Sequence, residues 1–222
     1  LHVLNYSIPV NKKMPYEELK DHLFTLPDHP EWIPYLTSYY KENWGFCLAH
    51  KDYEKLIRDT YEVVIDSSLN GHGSLTYGEL FIKGECEDEF LLSSYICHPS
   101  LCNDNLSGIA LLTLLAKHLG KQKLKYSYRI LFIPETIGSI TWLCLNEEKI
   151  PLVKYGLVIT CVGDAGKITY KKSREGSALI DKIVEKSLID SGSDYKILDF
   201  FPTGSDERQF CSPGFNMPIG SL

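Results

Sequence analysis

From residue 84 onward, short apolar runs rich in branched residues alternate with helix-length segments, the pattern of a sheet covered on both faces. Residues 90–97, 128–133 and 157–162 predict strands; 106–119 (ending at Gly120), 137–147 and 178–191 (stopped by Gly192) predict helices. Asp104 and Asn105 stand where capping side chains are expected ahead of 106–119. Before residue 84 the character differs. Aromatic residues and turn formers crowd together (Trp32-Ile33-Pro34-Tyr35, Tyr39-Tyr40, Trp44-Gly45-Phe46) between two helical patterns, 16–26 and 50–57. Residues 61–65 and 74–82 have strand composition on either side of the turn Asn70-Gly71-His72-Gly73. This half predicts a small α+β module with the aromatic cluster as its core.

Composition narrows the functional classes. At 222 residues and 44% hydrophobic content the chain can bury a sizeable core. A net charge of -6 and a pI near 5.7 argue against a nucleic-acid partner, which needs a clustered basic surface. Residues 121–125 and the run Lys171-Lys172-Ser173-Arg174 are expected to be solvated loop or helix-end charges. The longest apolar stretch, 109–115, is far short of the roughly 18 to 20 residues that span a bilayer. No signal peptide is recognised at the start, and a first residue other than Met points to a piece of a longer protein. Seven scattered cysteines without a CxxC pair suit the reducing cytoplasm.

The expected strands end on groups able to bind metal or move a proton: Cys97-His98, Pro134-Glu135 and Gly163-Asp164, with Asp104 in the loop after the first. Any one alone reads as a structural histidine, a helix cap or a turn residue. Together they converge, because open α/β sheets place their functional crevice at the carboxyl ends of the strands. Imidazole and carboxylates around an open position are the donor set of a hydrolytic zinc site. A nearby carboxylate then serves as base. A cysteine hydrolase using Cys97 or Cys102 is disfavoured, since adjacent Cys97 and His98 on a strand would face opposite ways.

The run 97–108, Cys-His-Pro-Ser-Leu-Cys-Asn-Asp-Asn-Leu-Ser-Gly, resembles the metal-binding loop of the zinc aminopeptidases related to bacterial leucyl aminopeptidase and glutaminyl cyclase. Ser205-Asp206-Glu207-Arg208-Gln209-Phe210, followed by Gly214 and Pro218, is similar to that family's later Ser-Asp-x-x-x-Phe segment. Nearly the whole chain resembles a bacterial subfamily of aminopeptidase-like domains of unknown function associated with polysaccharide biosynthesis. The resemblance implies that His98 is a metal ligand, that Asp104 is the carboxylate able to bridge two metals, and that Glu135 is the general base. Asp164 is the candidate third ligand, with a turn as its other reading. Asp206, Glu207 and Arg208 are either an internal salt-bridge group or a holder for the substrate's amino or carboxylate end. Three departures stand out. Thr136 occupies the place of the family's second, metal-binding Glu; Ser100 replaces an orienting Asp; and the last His ligand would fall beyond Leu222.

The expected fold is therefore α/β, a three-layer sandwich of zinc aminopeptidase type at 84–222, with an inserted aromatic-rich α+β module at 1–83. The expected function is zinc-dependent amide hydrolysis, aminopeptidase-like, with one or two zinc ions and a small peptide or aminoacyl substrate. No nucleic-acid or membrane partner is expected. The alternative is a non-catalytic or weakly metal-binding protein of the same fold with a binding role in polysaccharide biosynthesis. The 222 residues by themselves are expected to lack a complete coordination shell.

Overall fold

The computed structural model describes residues 1–38, 40–98 and 101–222, arranged as two units, Leu1–Gly73 and Ser74–Leu222. The first unit contains β1 (His2–Val3), β2 (Val10–Pro15), α1 (Tyr16–Leu19), β3 (Leu23–Phe24), β4 (Phe46–Cys47), α2 (His50–Tyr53) and β5 (Thr60–Ile65). β2 pairs antiparallel with β5 from Val10 opposite Ile65 to Pro15 opposite Thr60. β1, β4 and β3 form a second sheet of three very short strands. Val63 and Ile65 alternate inward along β5 and close on Met14, Leu19 and Trp44.

Both helices of this unit are shorter than the pattern predicts. In 16–26 only Leu19 is buried, and the chain passes through a 3-10 turn into β3; α2 buries none of its residues and stops at Tyr53. Without an apolar face to cover, a single turn has little to hold it. The aromatic cluster also divides. Trp44 is buried and stacks on His22 with ring centroids 3.6 Å apart, whereas Trp32, Tyr35 and Tyr40 are exposed. Tyr39 lies outside the described residues.

The second unit runs β6 (Gly78–Ile82), β7 (Glu89–Tyr95), α3 (Leu106–Leu119), β8 (Ser127–Ile133), α4 (Ile137–Leu145), β9 (Val153–Val158), β10 (Ile168–Lys171), α5 (Leu179–Ser191), β11 (Tyr195–Leu198), α6 (Glu207–Phe210) and β12 (Ile219–Ser221). Its strands form one sheet in the order β11-β10-β12-β9-β7-β8-β6. β7 is an interior strand, parallel to both β8 and β9. The unit boundary thus falls after Gly73, not near residue 84. Gly78–Ile82, read with the first module, pairs antiparallel with β8 as the sheet's edge.

Side-chain alternation sends β7 residues to opposite faces. Phe90 and Leu92, with Ile130 and Leu157, pack on Leu112 of α3, and Phe90 and Leu157 also meet α5 through Ile180, Val184 and Leu188. Leu91, with Leu131, Ile133 and Val158, packs on Trp142 and Leu143 of α4 and Phe210 of α6. Helices therefore cover both faces. Leu112, Trp142 and Phe210 are fully buried, and each side chain so buried contributes roughly 1.5–3 kcal/mol.

Two local expectations are corrected. The strand expected over 157–162 lies at Val153–Val158. Beyond it, side chains of the β7–α3 loop and of α3 take the backbone amides: Cys161 N–H donates to Asn105 Oδ1 at 3.0 Å and Val162 N–H to Ser107 Oγ at 3.1 Å. The capping expected of Asn105 is absent for the same reason. Asn105 occupies the cap position of α3, but its side chain is drawn across to β7 and to the segment that follows β9.

A candidate metal-hydrolase site at the carboxyl edge of the sheet

The chain leaves β7 at Tyr95 and reaches His98 and Asp104 before entering α3. Buried Asn105 holds this loop: its amide donates to Ser94 Oγ at 2.9 Å while its oxygen accepts from Cys161. Gly108 allows α3 to dock, since a Cβ there would meet Asn105 Oδ1 at 2.5 Å and Ile159 O at 2.6 Å. Close approach, rather than turn geometry, is the physical content of the glycine in this motif.

On that frame His98 Nε2 lies 3.8 Å from Asp104 Oδ2. Asp104 Oδ1 accepts a short hydrogen bond from the Tyr95 hydroxyl, which itself accepts from Thr160 Oγ1 at 2.9 Å. Burial, reinforced by the Asp104 carboxylate, pushes the Tyr95 phenol well above its ordinary range, so it remains a donor. Tyr95 and Thr160 thus orient Asp104 with one oxygen turned to His98, as outer partners orient metal ligands. Sequence reading missed both residues. Tyr95 was legible only as an apolar strand residue, and Thr160 lay in a stretch read as strand.

Glu135 follows β8 and is half-buried. Desolvation raises its pKa, the Asp104 charge adds to the rise, and Ser205 and Arg208 oppose it. The Cys97 thiol is pushed up by partial desolvation and then by Glu135, with smaller contributions from Asp104 and Asp206. His98, Asp104, Glu135 and Cys97 therefore share one neighbourhood. A raised thiol pKa is the reverse of what a cysteine nucleophile needs.

Thr136 stands where the resemblance places a second ligand. It has φ 64° and ψ -66°, a positive φ for a β-branched residue, and Ile137 N–H donates across it to Glu135 O at 2.7 Å. This is a γ-turn of the rare hand, with strain of order 1–3 kcal/mol. Asp206 holds the turn: its Oδ1 accepts from Thr136 N–H and from Ser139 Oγ, both at 2.7 Å. Asp206 is 1% exposed, its Oδ2 has no hydrogen-bond partner among the described residues, and burial lifts its pKa to about 6.

The remaining candidates are dispersed. Asp164 Oδ2 accepts from Asn103 Nδ2 at 2.9 Å and Oδ1 from Gly166 N–H at 2.7 Å. Its carboxylate closes a turn, yet Asn103 ties that turn to the loop bearing Asp104. Glu207 is fully buried and forms an ion pair with Lys171, without a well-aligned hydrogen bond. Lys171, expected to be solvated, is thus a buried strand residue. Arg208 Nη2 donates to Thr136 Oγ1 at 2.9 Å. Among the described residues no ion pair joins Arg208 to Asp206 or Glu207, and no three His, Cys, Asp or Glu side chains converge as a metal cluster. Ser100 lies outside the described residues. No helix among those described is long and apolar enough to cross a membrane.

A family model matches residues 2–222, that of a domain of unknown function, DUF4910. The chain belongs to this family. It is 63% identical, over its full length, to a Clostridium acetobutylicum protein whose name describes it as a polysaccharide biosynthesis protein with aminopeptidase-like domain. This DUF4910 chain covers 51% of that relative. A crystal structure titled as a peptidase from the same organism superposes with a TM-score of 0.96 at 62% identity, over all of this chain and 52% of the other. The chain thus spans about half the length of these relatives. A Zn-dependent exopeptidase from Parabacteroides distasonis superposes with a TM-score of 0.50 at 18% identity, covering 66% of this chain and 62% of that one. The DUF4910 chain therefore has a mixed α/β, peptidase-like fold.

Proposed function

We propose that this chain carries the catalytic centre of a zinc-dependent hydrolase of amide bonds, aminopeptidase-like, on a three-layer sandwich. One observation carries the reading: an imidazole and a carboxylate 3.8 Å apart at the sheet's carboxyl edge, beside a half-buried glutamate of raised pKa. His98 and Asp104 fit two of the three protein ligands that catalytic zinc sites use. Asp164, joined to their loop through Asn103, is the proposed third. Zinc bound there would supply an acidified water and polarise the carbonyl.

The chain's own residues do the rest. Tyr95 and Thr160 fix Asp104 from behind. Glu135 accepts the proton of the attacking water, and its raised pKa brings it closer to the working pH, where proton transfer in both directions is efficient. Thr136, which lacks the carboxylate of the family's second Glu, favours one metal over two. The substrate class is a small peptide or aminoacyl compound, and the proposed location is the cytoplasm.

Specific features favour a second reading, a weakly metal-binding protein without catalysis: the lost carboxylate at position 136 and the engaged oxygens of Asp164. Elemental analysis combined with an aminoacyl-amide assay separates the two. The hydrolase reading expects about one zinc per chain and hydrolysis lost in Glu135→Gln; metal-free protein without activity after zinc addition supports the second reading.

A further inference from the structure

Behind Thr136 lies a cavity of about 500 Å³ with Arg174 and Arg208 in its walls, together with Phe200, Pro202 and Pro213. The two arginines come from different segments, the β10–α5 connection and α6. Their placement is built. Ser173, next to Arg174, is clamped by Asp181 through N–H to Oδ1 at 2.8 Å and Oγ to Oδ2 at 2.7 Å. Backbone at Arg174 also lies against the buried Cys211 thiol that follows α6. On the other wall, Arg208 spends one hydrogen bond on Thr136 and keeps a buried Nε without an acceptor among the described residues.

Neither guanidinium has a carboxylate within ion-pair distance among the described residues, although the chain carries an excess of acidic side chains. Elsewhere Arg129, buried in the same unit, has two. Two guanidinium groups without an ion-pair contact among the described residues, on one concave surface and with donors left over, form a receptor for a planar or tetrahedral oxyanion. The rings of Phe200, Pro202 and Pro213 suit an apolar group beside it. Arg208 lines this cavity and also donates to Thr136, the residue after Glu135, so its side chain links the cavity to the segment bearing the proposed base.

We propose that the Arg174–Arg208 cavity binds the oxyanion of the substrate, a carboxylate or phosphate carried next to an apolar group, and so selects substrates with an anionic end. This deepens the proposed hydrolase function and rests on it only for the word substrate. It is tested by calorimetric titration of the full chain with N-acetylphenylalanine, its neutral amide and inorganic phosphate. The expected result is saturable binding of the acid, of phosphate, or of both, with whichever binds more tightly naming the oxyanion source. The amide should bind at least about tenfold more weakly, and R174Q and R208Q should each weaken the anion by about tenfold or more. Because Arg174 is exposed, R174Q retains the fold even where R208Q does not. Equal affinity for acid and amide, no saturable binding of either anion, or anion affinity unchanged in R174Q overturns the proposal. Anion binding in a protein that hydrolyses nothing defeats the hydrolase reading alone. Hydrolysis of neutral-ended amides with unchanged binding in R174Q defeats this one alone.

Discussion

Two polar clusters flank the same sheet, one near the amino ends of β7 and β8 and one beyond their carboxyl ends. At the first, Arg129 donates to both oxygens of Glu89 at 2.6 and 2.7 Å and to Glu79, whose other oxygen accepts from Trp142 Nε1 at 3.2 Å. Burial opposes the Arg129 charge, but Glu89 and Glu79 outweigh it and raise its pKa. At the second, Glu135 and Asp206 both have raised pKa values, and Asp206 Oδ2 has no hydrogen-bond partner among the described residues. In the first cluster each charged group has a hydrogen-bonded partner, one guanidinium serving two carboxylates. The second is held in a state that a cation or a proton would relieve, as functional sites often are.

Substitutions at the two clusters should therefore behave oppositely. Glu135→Gln is expected to lower hydrolysis by about 10²–10⁴-fold, with zinc content unchanged and no loss of stability; retention of wild-type turnover would remove Glu135 from the mechanism. Arg129→Met strands two carboxylates and should cost about 3–5 kcal/mol in urea unfolding. A loss below about 1 kcal/mol would mean that the amino-end cluster is not the balanced structural unit described.

Asp206→Asn tests the unbalanced cluster by pH. Asp206 has a folded pKa of about 6 against roughly 3.9 unfolded. The folded state therefore binds the extra proton, and stability is fully present below about pH 4 and falls as pH rises toward 6. In metal-free protein the variant should be more stable than wild type at pH 7.5, by an amount on the order of 2 kcal/mol, and should show no such gain at pH 4. The same gain at both pH values would assign the effect to packing. A smaller effect is expected for Tyr95→Phe, which should weaken zinc affinity about 10-fold and leave the fold intact, read by chelator competition.

The sequence was most legible where local pattern and burial agree. Leu106–Leu119 is helical over the residues its periodicity predicts, and β7 and β8 lie within two residues of expectation. β2, β10, β11 and β12 went unread. Each is short or largely polar, as in Val-Asn-Lys-Lys-Met-Pro of β2, and each is fixed by pairing with a partner distant in sequence. The site divides similarly. His98, Asp104 and Glu135 follow from strand ends and motif spacing, and the structure brings them together. Tyr95, Thr160 and Arg174 carry no local signature; their roles arise only once β7, β9 and the β10–α5 connection have been placed.

The central claim is that His98 and Asp104 form a metal-binding pair serving Glu135. Its most direct test is zinc stoichiometry of the full chain by elemental analysis after equilibration with zinc and removal of excess, for wild type and His98→Ala side by side. The account predicts zinc bound at up to one per wild-type chain and a near-complete loss in the variant, with melting temperatures of the two metal-free proteins alike. Zinc retained equally by both, or by neither, would contradict it.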